Sequence, residues 1–148
     1  MANILRNNVG TAISVTTSGA GGIASGSYAT ATDKLTIDNS TNKALMVDFE
    51  LYPALFATAP VSGAISLIAV DYSLDGLNAG PAPTAALLGR FVGSFSPQPT
   101  TGNTNTRWYM SLNSVALSNK CDYYLFNNAT GQALAVGAVL KAQCWTTG

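Results

Sequence analysis

Asp71, Ser73 and Asp75, followed by Gly76, set oxygen-bearing side chains at alternate positions in the stretch VDYSLDGLNAGPAPT, residues 70–84, as the start of a calcium loop would. Such a loop is closed by a further carboxylate, and Leu77, Asn78 and Ala79 supply none. Asp75-Gly76 is instead a strong turn signal, because glycine takes a positive φ without strain, and Gly80, Pro81 and Pro83 prolong the excursion. A second acidic pair, Asp48 and Glu50, falls on one side of a strand at i and i+2, about 7 Å apart by strand rise. That separation suits an acid and base working on a glycosidic bond, yet a lone outward pair of this kind ordinarily marks a solvated face. The chain has no histidine, which removes Ser-His-Asp and Cys-His catalysis and the commonest metal ligand. Cys121 and Cys144 make neither a disulfide framework nor a familiar zinc site, and buried, reduced thiols are expected. Arg107, Trp108 and Tyr109, with Arg90 and Phe91, are the basic–aromatic clusters that could meet nucleic acid. Trp108 shares a face with Met110 and Leu112, so core packing explains it more simply. Trp145 and Tyr52, on faces opposite the core, could stack on a sugar. No residue is assigned a catalytic, cofactor-binding or metal-binding role, and the chain is read as non-enzymatic.

These side chains are embedded in an unusual composition. Charged residues are 9% of the 148 and seven basic side chains offset seven acidic ones, where an average soluble chain is roughly a quarter charged. There is no long-range field to gather nucleic acid or an anionic membrane, and neither is expected as a partner. A neutral surface rich in hydroxyls and amides suits a protein packed against copies of itself or another subunit. The start, MANILRNNVG, lacks an apolar run of secretory length, and no segment approaches the roughly 20 apolar residues that cross a bilayer. The chain is expected to be made and left in the cytosol. The sequons at Asn39 and Asn128 would matter only in a secreted protein.

The elements that must position these residues are strands. From Lys43 to Tyr52, Leu45, Val47, Phe49 and Leu51 alternate with Met46, Asp48, Glu50 and Tyr52, until Pro53 denies the ladder a donor. A second alternating strand is read from Leu134 to Cys144. RWYMSL alternates too, CDYYLF is aromatic on both faces and reads as covered on both, and AISLIAVDY lacks alternation, implying two covered faces or a bulge. GRFVGSF and KLTI are shorter strands. Ile13 and Val15 make the segment to Thr17 β-leaning, an arm or a strand. TSGAGGIASGS, DNSTN, TAPVSG, SPQPTTGNTN and NNATG are breakers, and only APTAALLG offers a helical turn. About eight short strands without a βαβ pattern predict a single all-β domain over 1–148, an antiparallel β-sandwich, as an eight-stranded jelly roll with long loops and little helix. Residues 1–26 are expected to be an N-terminal arm, or a strand followed by a flexible loop.

KLTIDNSTNKALMVDFEL, SLDGLNAG, LLGRFVGSF and YYLFNNATGQALAVGAVLKAQ together resemble small tailed-phage virion proteins of the capsid decoration, or cement, type. The likeness spans residues 34–143 and rests on turns and β patterns; RWYMSLNSVAL and the long SPQPTTGNTNT approach depart from it. It implies a jelly-roll-like fold and a structural role at the capsid surface of a virion, made in the host cytoplasm. The implied partners are the major capsid protein and further copies of the chain, a homotrimer before a homodimer, with many modest contacts adding through avidity. The expected partner surface takes Ile4, Leu5, Arg6 and Asn7 from the N-terminal segment, Pro97 and Pro99 from the long loop, and Trp145. A receptor- or glycan-binding module of a fibre or shell, on the same sandwich, is the alternative.

Overall fold

The computed structural model describes residues 6–19, 22–54, 56, 60, 62–84, 89–96 and 108–147, at 52–54 and 108–110 through the backbone. The chain is all-β. Its strands are β1 (Arg6–Asn8), β2 (Ile13–Thr16), β3 (Leu35–Asp38), β4 (Met46–Ala54), β5 (Ala64–Asp71), β6 (Arg90–Phe95), β7 (Trp108–Ala116), β8 (Lys120–Asn128) and β9 (Val139–Thr147). The helical content among the described residues is one 3-10 turn, Ala31–Asp33.

Among the described residues every strand pairing is antiparallel. One sheet runs β1-β9-β4-β7, with β2 also on β9, and the other runs β3-β8-β5-β6. β1 and β2 lie end to end on the same edge of β9: Asn8 pairs Trp145 and Ile13 pairs Ala142, so the intervening residues bulge out, with Gly10 at φ 70°. Counted as one, they give eight strand positions paired first with last, second with seventh, third with sixth and fourth with fifth. That nested order is the expected jelly roll.

Between the sheets lie Val47, Phe49 and Leu51 of β4, Leu140 and Ala142 of β9, Ile65, Leu67 and Ala69 of β5, and Cys121, Tyr123 and Leu125 of β8. The period of two read from 43–52 holds for Val47, Phe49 and Leu51, the core face of β4, whereas Leu45, expected on the same face, precedes the strand and is exposed. β5 is buried on both faces, and it meets a bulge where Leu67 pairs Gly93 but Ile68 pairs Phe91. Its outer face is covered by the excursion after Asp75: Pro83 is buried, and Gly80 and Gly89 sit against Val70, Ile68 and Ala69. A Cβ on Gly89 would stand 2.6 Å from the Ala69 carbonyl oxygen, so only glycine permits this approach. Half of APTAALLG, residues 85–88, lies outside the described residues.

The last strand corrects the expectation of a run from Leu134. Leu134 is buried through bridges to Ile23 and Phe56, Gly137 turns the chain at φ 90°, and β9 starts at Val139. The apparent alternation through Val136 is a turn that happens to be in phase; Val136 is exposed. Asn127, fully buried, ties this turn down. Its amide donates to the carbonyls of Ile23 and Gln132, and its oxygen accepts from the Thr130 hydroxyl.

Candidate interaction site

The outward face of the β1-β9-β4-β7 sheet brings together three residues that lie far apart in sequence. Arg6 of β1, Asp48 of β4 and Trp145 of β9 project from the same side because Asn8 pairs Trp145 and Trp145 pairs Met46. The Arg6 guanidinium bonds Asp48 Oδ2 at 2.5 Å and lies 5.1 Å from the centre of the Trp145 ring. Trp145 Nε1 donates to Asp48 Oδ1 at 2.9 Å, and the Ser114 backbone N–H donates to the same oxygen at 2.8 Å. Ser114 can do so because it sits at a bulge in β7, with φ 57°, where the register slips between Val47 and Phe49.

Asp48 is therefore buried, against the reading of a solvated outward pair. Burial pushes its carboxyl up, but the hydrogen bonds from Ser114, Trp145 and Arg6 and the charge of Arg6 outweigh that and hold it below the usual aspartate range. Three donors of the same chain thus occupy its two oxygens. Glu50 pairs Lys141 across the sheet, so the neighbouring carboxylate is also matched by register with a cation. Beside them a groove of about 420 Å³ is lined by Arg6, Glu50, Asn113, Lys141 and Gln143.

The suspected calcium loop is a turn. Asp75 accepts from the Ser73 hydroxyl and from the Leu77 N–H at 3.0 Å, and Gly76, at φ 73°, donates to the Ser73 carbonyl. Asp71 is directed to Arg90 instead, 3.2 Å away. Each carboxylate thus serves a different structural task.

Elsewhere the carboxylates also hold the fold. Asp33 takes three bonds from Ser18 and Gly19; burial raises its carboxyl, these bonds lower it more, and the net direction is down. Asp122, almost wholly buried, holds Lys34 at 2.5 Å and the Thr36 hydroxyl at 2.6 Å, and Asp122 raises the Lys34 ammonium above its ordinary value. The two cysteines are free thiols in different sheets, Cys121 buried as expected and Cys144 only partly buried. Burial pushes the Cys121 thiol up to about 12 and raises Cys144 as well. Asn39 closes the 39–44 turn with both ends of its amide on Ala44.

Of the expected partner residues, Arg6 and Trp145 meet at Asp48, and Asn7 is exposed on the neighbouring strand position. Ile4, Leu5, Pro97 and Pro99 lie outside the described residues, as do Arg107 and the side chains of Trp108 and Tyr52. Sequence reasoning missed the centre of the site: Asp48 was set aside as a surface charge, and Ser114 carried no local signal of its positive φ. It also missed the loop tips, where Leu74 is 100% and Leu77 79% exposed. Two leucines flanking Asp75-Gly76 were the available clue. Comparisons with protein-family models, with curated proteins and with solved structures find no match.

Proposed function

We propose that this chain is a non-enzymatic structural subunit of a tailed-phage virion, one that decorates and stabilises the capsid shell by binding several major capsid subunits as a homo-oligomer. The observation that carries this reading is the internal matching of charge across the outward sheet face. Arg6 is matched to Asp48, and Glu50 stands opposite Lys141. A face whose charges already have partners in the same chain loses less when water leaves it than one with lone charges, which favours docking repeatedly on a lattice through modest contacts. The jelly-roll frame and the net charge of zero are consistent with that use.

The test is a reconstruction of the virions made in cells that express the chain. Density of its size at fixed lattice positions on the shell is the expected result, and absence from purified particles would end the proposal.

The polar groove beside Lys141 supports a second reading, a glycan-binding module. Trp145, the stacking platform such a module would use, does not line that groove, and Arg6 lies over its ring. A glycan array bound at that groove, and weakened by Asn113→Ala, would favour it over the shell role.

A further inference from the structure

The end of the sandwich that carries the β3–β4, β5–β6 and β7–β8 connections holds an unexplained concentration of apolar surface. Among the described residues, five large hydrophobic side chains are exposed: Leu45, Leu74, Leu77, Phe91 and Val136. The first four belong to this end: Leu45 just before β4, Leu74 and Leu77 in the turn after β5, and Phe91 at the start of β6. Val136 is at the other end. Scattered singly such residues mean little, but clustered around a recess they mark an interaction surface.

The recess is there. A pocket of about 480 Å³ lies between the turn after β5 and the β7–β8 connection, walled by Tyr72, Leu74, Ala116 and Leu117 and edged by Asp71 and Arg90. The Leu117 N–H bonds the Leu45 carbonyl, which links the recess to the exposed Leu45. The two walls are joined, since the Tyr72 N–H donates to the Lys120 carbonyl at 3.1 Å. The tips are also held in shape, because Ser73 bonds Asp75 and exchanges two hydrogen bonds with Asn78.

The charges of this rim balance without one sign prevailing, since Lys43 is exposed on the β3–β4 connection and the Asp75 carboxylate, bonded only to neutral donors, keeps its charge. Asp71 is paired with Arg90 and Asp38 with Lys120 at 3.5 Å. The complement of such a surface is a neutral, apolar one, and a nucleic acid or anionic membrane finds nothing to attract it. The chain itself, with net charge zero, presents that complement on the very same end. Protruding leucines and an apolar-walled recess stand side by side, so one copy's tip has somewhere to go on another.

We infer that copies of this chain associate through this end, Leu74 and Leu77 of one copy entering the recess between the β5–β6 turn and the β7–β8 connection of the next. The interface deepens the proposed oligomeric subunit and rests on it for its purpose. It also assigns the self-contact to the loop tips, whereas β1 and β2 are engaged on β9 of their own chain.

Sedimentation velocity over a wide concentration range tests this with the full chain, the Leu74→Asp/Leu77→Asp double variant and, as a control at the opposite end, Val136→Asp. All three substitutions are at exposed positions, and circular dichroism with thermal melting checks that each variant is folded. The wild type and V136D are expected to sediment as the same oligomer, with the double variant monomeric or at least tenfold weaker in association. A wild type that is monomeric throughout, or a double variant that assembles as the wild type does, overturns the inference. Mixing with purified shells separates the two ideas. A monomer that still occupies the shell defeats this interface alone, and an oligomer that never binds the shell defeats the docking role alone.

Discussion

Asp48 is the residue on which the outward sheet face turns, and its environment yields a signed pH dependence. Its folded carboxyl is held below the usual aspartate value, so its contribution to stability is present above the unfolded value of about 3.9. That contribution is lost as the pH falls through the lower folded value. Asp48→Asn keeps an acceptor for Ser114 and Trp145 but removes the partner of Arg6. The variant should be less stable at pH 7 by about 2 kcal/mol, in line with charge-assisted bonds of this kind. Urea unfolding at pH 7 and pH 3 should show the gap between wild type and variant closing in acid; a gap that is constant with pH would remove the charge from the explanation. At this scale the sequence was informative where the determinants are local. The Asp75-Gly76 turn is written in adjacent residues, whereas Asp48 meets Ser114 and Trp145 at separations of 66 and 97 residues, which no local pattern encodes.

The elements show the same division. Strand β4 was legible because one of its faces is core and the other is not, so its residues alternate. β5 did not alternate because it has two apolar faces, one against the opposing sheet and one beneath the chain around Gly80, Pro83 and Gly89. The sequence posed the choice between a covered strand and a bulged one, and both are present. The start of β9 was misplaced because a buried leucine in a turn looks like a strand residue when its neighbours are small. The packing of Gly89 on β5 gives a prediction at this scale. Gly89→Ala would set a methyl 2.6 Å from the Ala69 oxygen and 2.8 Å from Ile68 Cγ2. Since backbone cannot yield as a flexible side chain does, the cost should be about 1–3 kcal/mol, as for other overpacked sites. A lowered melting temperature, together with faster amide exchange at 68–70, is the expected signature. An unchanged melt would mean that the covering chain does not press on the strand.

For the whole molecule, two sheets around one core followed from the count of short strands and turn signals, and eight positions from the same count. The choice of neighbours within each sheet did not, because pairing depends on which apolar faces meet across the sandwich. The N-terminal segment shows the difference: β-leaning and weakly apolar, it read equally as an arm or a strand. Its described part is paired to β9, Ile13 and Val15 pack against the core, and Thr17 is buried with hydrogen bonds to Ala135 and Ala138. Deleting residues 2–17 should therefore lower the melting temperature of the folded chain itself, beyond any effect on assembly, by stripping one edge of β9 and opening the core. Deleting only residues 2–8 should cost less, because β1 is exposed and its loss is chiefly that of the Arg6–Asp48 pair. Equal melting of the two deletions would show that β2 contributes nothing to the core.

The pairing of the first strand with the last also sets when the protein can fold. Strand β9 is central in its sheet, with β1 and β2 on one side and β4 on the other. Until residues 139–147 have left the ribosome, the N-terminal strands and β4 lack the partner that joins them, and a large share of the apolar interior has no lid. Each newly made chain thus stays open, exposed to chaperones and to its neighbours, until β9 is translated, and closes its sandwich only then.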